Sequence, residues 1–192
     1  MKRYIRAAIL DIRDDDEYFQ NEVAEDINSP IDDIIKLADQ ISNWTAHESA
    51  EFTLKRLANS GNSARIFEGD PELRQSMICC CYDRDLLKIF AEDPDETVRW
   101  RIAANHAASP EILDKLSLDS SAQIRAAVAR HKNVPDYTLA RLAKDESAFV
   151  RYHAAQNPKT PYAILLKLLN DDDSDVRENA LKNIESRSNS DR

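Results

Sequence analysis

Glycine is nearly absent. The 192-residue chain has two, Gly61 and Gly69, where average usage of roughly 7% would place about thirteen. Phosphate-cradling loops, dinucleotide-binding turns and tight hairpins need glycine wherever φ is positive or a ligand approaches the backbone. Two glycines exclude P-loop and Rossmann chemistry and argue against a β-sandwich or barrel. Cysteine is scarce as well, and its three copies are consecutive: Cys79, Cys80 and Cys81. Adjacent residues on a helix point about 100° apart and cannot converge on one metal, and an odd number suits no disulfide framework. They read as small apolar residues on a packed helix in a reducing cytosol. Long apolar runs are missing too. The start, Met1-Lys2-Arg3, meets Asp11 before an apolar stretch of signal-peptide type can form, and no run approaches membrane-spanning length. The expectation is a cytoplasmic protein with no membrane partner.

What the chain does contain is Ala, Leu, Ile, Asp, Glu, Arg and Lys, with 32% charged residues. That is helical composition. The net charge of −9 argues against general binding of nucleic acid or anionic membranes. Its distribution is uneven. Residues 1–96 hold 11 Lys/Arg against 22 Asp/Glu, whereas residues 97–170 hold 11 against 6, a local +5.

Periodicity carries most of the information. Val98-Arg99, Ile124-Arg125, Val150-Arg151 and Val176-Arg177 recur every 26 residues. Asp93, Asp119, Asp145 and Asp171 stand six residues before each Arg, and Asn105, His131, Asn157 and Asn183 six residues after. Each unit reads as two short helices. The first is predicted to start at Ser109-Pro110, Val134-Pro135 or Thr160-Pro161, with Ser or Thr as the cap and proline at the first helical position. The second is predicted to be capped by the periodic Asp, with Pro94 at the first helical position and Glu96 completing a capping box. Val98 and Ile102 take the core face, and paired alanines such as Ala154-Ala155 permit close approach of neighbouring helices. Asn157-Pro158 stops the helix without glycine. Residues 1–60 carry degenerate copies, 61–69 an irregular connector, 70–185 the regular repeats of one continuous solenoid, and 186–192 a frayed polar tail.

The order Asp, Val-Arg, Ala-Ala resembles HEAT repeats, and Asn157-Pro158 through Thr160-Pro161, followed by Leu165 and Leu168, resembles the variant leucine-rich repeat (LRV). The resemblance implies an all-α fold, a right-handed α-solenoid whose second helices line a concave face. In HEAT repeats the Asp and Arg form a ladder between units, which maps here onto Asp93, Asp119, Asp145 and Asp171 with Arg99, Arg125, Arg151 and Arg177. The motif speaks for architecture and not for an activity. Some LRV proteins carry an iron–sulfur segment with spaced cysteines; the Cys79–Cys81 run departs from that pattern, and no cofactor is carried over.

Beside the ladder lie positions expected to face solvent on the second helices: Trp100, Arg101, Arg130, Tyr152, His153, Gln156 and Lys182. A stacking repeat needs no aromatic there, and aromatics beside arginine anchor interfaces. Arg130 and Lys132 belong to the local +5, which suits an acidic protein or peptide. The four histidines follow no metal spacing, and no nucleophile-and-base constellation assembles, so no catalytic or metal site is expected. His131 is expected at a helix end. Asp171–Asp173 lack the alternating ligands and glycine of a calcium loop. The sequence therefore points to a monomeric, non-catalytic scaffold that binds a protein or peptide. The alternative is a nucleic-acid module or a HEAT-like DNA glycosylase using the basic stretch.

Overall fold

The computed structural model describes residue 67 and residues 71–190. The calls on 1–60, and both glycines, lie outside these residues. The chain divides into two compact units, Met1–Val98 and Arg99–Arg192. The described residues hold nine helices: α1 (Pro71–Cys80), α2 (Arg84–Phe90), α3 (Glu96–Ala104), α4 (Pro110–Leu116), α5 (Ala122–Arg130), α6 (Asp136–Leu142), α7 (Ala148–Gln156), α8 (Tyr162–Leu168) and α9 (Ser174–Ser190). No strand occurs among the described residues.

In the first unit, the carboxylate of Asp83 caps α2 by accepting the N–H groups of Asp85 and Leu86. Leu86, Leu87 and Phe90 turn the buried face of that helix inward, and Phe90 meets the Phe67 ring edge-on at a centroid distance of 6.5 Å.

The second unit is an α-solenoid. Helices α4 and α5, α6 and α7, and α8 and α9 form successive pairs, and the second helices stack on one another, α5 on α7 and α7 on α9. Each seven-residue first helix buries a compact apolar set, such as Ile112, Leu113 and Leu116 in α4. The second helices bury a β-branched residue followed by alanine: Ile124 with Ala129, Val150 with Ala154 and Ala155, Val176 with Ala180. A fully buried Leu or Ile contributes about 1.5–3 kcal/mol; the alanines contribute less by area but let the stacked backbones come close. No single seven-residue helix is stable alone in water, so the stacking holds each one.

The helix starts differ from the sequence expectation in a regular way. The periodic Asp is not the cap but stands two residues ahead of it. Asp93 accepts from Asp95 N–H at 2.8 Å, Asp119 from Ser121, Asp145 from Ser147 and Asp171 from Asp173. Each forms an Asx turn that delivers the chain to the true cap. Asp95 and Asp173 then cap with their own carboxylates, whereas the Ser121 and Ser147 side chains make no cap bond. Glu96 is thus the first residue of α3. Among the first helices, Pro110 is helical and Ser109 accepts from Ile112 N–H at 3.4 Å. Pro135 and Pro161 instead occupy the cap position itself, and the Thr160 hydroxyl turns back to donate to the Ala154 carbonyl at 2.5 Å. The hydroxyl is thus turned to the preceding helix, and the cap position of α8 falls to Pro161.

The C-terminal ends account for the lack of glycine. Ala91, Ser117, Ala143 and Leu169 close the first helices with φ between −61° and −67°, and His131 and Asn157 close α5 and α7 in extended conformation. No described cap enters the left-handed region that would call for glycine. Helix α9 runs on to Ser190, and the Arg187 guanidinium donates to the carbonyls of Pro158 and Thr160 and to Asn183 Oδ1.

Candidate functional site

The regular Arg and Asp are consumed by one another. Arg74 pairs with Asp93 within the first unit, with side chains 2% and 0% exposed. In the second unit Arg99 pairs with Asp119, Arg125 with Asp145 and Arg151 with Asp171, through Nε at 2.7–2.8 Å. Every pair spans from one repeat to the next, and each has a second bond from Nη2 to Oδ1. The third nitrogen faces inward: Arg125 Nη1 donates to the carbonyls of Asp119 and Ser120, and Arg151 Nη1 to those of Asp145 and Glu146. The Arg125 and Arg151 guanidinium groups thus each tie their own turn to the next repeat. Burial alone would raise the Asp145 carboxyl, but the Arg125 hydrogen bond and the Ser147 N–H outweigh it, and it titrates below the usual range. Arg177 ends the series. Among the described residues it bonds to the carbonyls of Asp171 and Asp172, with no carboxylate opposite.

A second ladder runs through the helix ends, and it has no counterpart in the sequence reading beyond the period itself. Asn157 Nδ2 donates to the carbonyls of Ala129 and His131, and Asn183 Nδ2 to those of Ala155 and Asn157. His131 holds the same register, with Nε2 at 3.0 Å from the Asn105 carbonyl and Nδ1 accepting Asn133 N–H at 3.0 Å. On the first helices, Arg141 of α6 reaches Asp114 and Ser117 of α4, while the Thr138 hydroxyl donates to Asp114 at 2.7 Å. With these groups paired between repeats, they hold the scaffold.

The remaining second-helix positions are distributed unevenly. Trp100 is 41% exposed, Arg130, Gln156 and Lys182 are exposed, and Arg101 and Tyr152 are half-buried. His153 departs from the solvent-facing expectation: it is buried at 9%. Its ring lies between two aromatic edges, with centroids 4.8 Å from Phe149 and 5.1 Å from Tyr152, both near perpendicular. Burial pushes its pKa down, against a Gln156 hydrogen bond that raises it, and the Arg130 charge lowers it further. His153 therefore props up two aromatics and does not itself meet solvent. Lys182 pairs with Glu178 at 2.6 Å on the exposed surface, so its charge is partly answered within its own helix.

Trp100 and Phe149, 46% exposed, line a pocket of about 470 Å³ together with Ala103, Ala127, Arg130 and Lys132. Phe149 is the residue sequence reasoning missed. It sits one turn ahead of His153 at a register held by Gln123 in the preceding repeat, so nothing periodic singles it out. Among the described residues, no three His, Cys, Asp or Glu side chains gather where they could hold a metal ion, and no helix is long and apolar enough to cross a membrane.

Residues 162–186, the α8–α9 pair, match the HEAT repeat family model. The preceding pairs share its 26-residue register, its Arg-to-Asp bridges and its buried alanines. The repeats are HEAT-like. The chain is also similar to a crystal structure of an engineered protein, at 18% identity over 95% of this chain and 96% of that one, with a TM-score of 0.36; the assignment rests on the repeat match and the period. No curated protein matches the sequence. HEAT repeats generally serve as scaffolds for protein interaction, and in this chain the HEAT-like register also separates the two kinds of arginine. Arg99, Arg125 and Arg151 belong to the stacking pattern, whereas Arg130 stands where neighbouring repeats have Ala104, Gln156 and Lys182.

Proposed function

We propose that the protein is a non-catalytic scaffold that binds a protein or peptide on the second-helix face of its HEAT-like repeats. One observation carries this reading: aromatic and cationic side chains that stacking does not require collect on that face. Trp100, Phe149, Arg130 and Lys132 are exposed beside the half-buried Tyr152. In the stacking arginines, by contrast, every guanidinium is committed to a neighbouring repeat or turn. Exposed aromatics beside arginine are the residue types that dominate binding energy at interfaces. An acidic partner suits the local +5, and the face works as a monomer in the cytoplasm.

The test is affinity capture from the native host by the full chain, followed by reconstitution with the purified captured protein. Tyr152→Ala combined with Lys182→Gln is expected to weaken that reconstituted complex about tenfold or more. An unchanged affinity would overturn the face assignment. Binding of duplex DNA that persists at ~150 mM salt would favour the nucleic-acid alternative, since a few phosphate contacts are strongly screened there.

A further inference from the structure

The pocket on this face has a structural origin that specifies its occupant. At the position of Ala127 the neighbouring repeats carry Arg101 before it and His153 after it, and at that of Ala126 they carry Trp100 and Tyr152. The α5 repeat therefore carries two alanines where its neighbours carry large side chains; Ala127 lines the pocket together with Trp100 and Phe149, whereas Ala126 is buried. The space is about 470 Å³, at the lower end of the range for ligand pockets of roughly 300–1,000 Å³ and open to solvent along the helix face. Trp100 and Phe149 line it together with Ala103, Ala104 and Ala127, an apolar stretch that favours an apolar side chain. No carboxylate lines it. The other lining groups include His106, His131 and Gln123, and among the described residues neither Arg130 nor Lys132 makes an ion pair. This is unusual in a chain of net charge −9, where every stacking arginine except the terminal Arg177 has found an aspartate.

We propose that this pocket seats one bulky apolar side chain of an acidic peptide segment, with flanking carboxylates held by Arg130 and Lys132. The proposal rests on the scaffold reading above and names its partner chemistry. The apolar side chain supplies burial against Trp100 and Phe149, and the Phe149 ring is already braced by His153 at 4.8 Å, so little of its entropy is lost. The cations supply charge complementarity and orientation. An oligonucleotide is disfavoured by the net charge of −9, which its phosphate backbone would meet away from this pocket.

The probe is a fluorescein-labelled, acetylated and amidated short peptide with one Phe flanked on both sides by Asp and Glu, titrated with the full chain by fluorescence polarisation up to about 1 mM. Saturable binding is expected, lost when the peptide Phe is replaced by Ala or its acids by Lys. Ala127→His restores the residue that the next repeat carries in this register, fills the slot, and is expected to weaken binding about tenfold or more. Arg130→Gln with Lys132→Gln changes exposed side chains that folding does not use and is expected to weaken it by about the same factor. Absence of binding overturns the inference, as does binding indifferent to both variants, or equal competition by a single-stranded oligonucleotide of the same charge. The scaffold reading stands or falls separately: if the captured partner depends on Tyr152 and Lys182 but not on Ala127→His, the face binds and this pocket does not.

Discussion

His131 accepts Asn133 N–H through Nδ1 and donates from Nε2 to the Asn105 carbonyl, a combination open only to the neutral ring with its proton on Nε2. Burial pushes its pKa down, opposed by the Asn105 carbonyl and assisted by the charges of His106, Lys132 and Lys159. The folded state therefore binds fewer protons than the unfolded chain. The stabilisation from this histidine is complete above its unfolded pKa of about 6.5 and is lost as pH falls through the lower folded value. An asparagine makes the same two bonds without titrating, as Asn157 does in the next repeat to the His131 carbonyl and from Lys159 N–H. His131→Asn is thus expected to leave the melting temperature near neutrality almost unchanged and to flatten its decline between about pH 7 and pH 5. Thermal melts followed by circular dichroism across that range check it; identical slopes for the two proteins would remove His131 from the account. The period in the sequence placed His131 at a helix end. It could not show that the ring reaches back 26 residues, because that contact exists only once the repeats are stacked.

At the scale of single helices, capping separates residues that look alike in sequence. Asp173 accepts from the N–H groups of Asp175 and Val176, while Ser147, in the same register one repeat earlier, makes no cap bond with its side chain. Asp173→Ala is expected to cost about 1 kcal/mol, and Ser147→Ala a few tenths at most. Urea titrations of the two variants measure the difference; equal losses would contradict the cap assignment. The misplacement of the caps by two residues has a plain cause. Asp at the start of a helical pattern with Glu three residues on is the signature of a capping box, and an Asp that closes an Asx turn before the cap gives the same local pattern. Asp145 shows what decides between them: its carboxylate is occupied by Arg125 from the preceding repeat as well as by Ser147 N–H, and a long-range partner leaves no trace in a local window. Thr160 was drawn away from the role read for it by the buried Ala154 carbonyl in the same manner.

Across the second unit, stability is a sum over repeats and the bridges between them. Arg125 and Asp145 have side chains 9% exposed each, so removing one leaves the other charged and poorly solvated. Arg125→Ala is expected to cost about 3–5 kcal/mol. Arg177 faces no carboxylate among the described residues and holds two backbone carbonyls, so Arg177→Ala is expected to cost about 1 kcal/mol. Chemical denaturation of both variants tests the contrast; comparable losses would mean that pairing between repeats is not what these arginines contribute.

The sequence by itself determined the helical class, the 26-residue repeat and the residues of the Arg and Asp series. All of these are periodic or compositional, and periodicity survives translation into a line of letters. Tertiary structure decided which Asp each Arg meets, where the helices start, that His153 is buried, and that Phe149 and Trp100 line one pocket with Ala127. Those are facts about neighbours brought together by stacking. The pocket is a break in the repeat, a place where α5 carries less volume than the helices on either side, and only the stacked helices turn that shortage into a space.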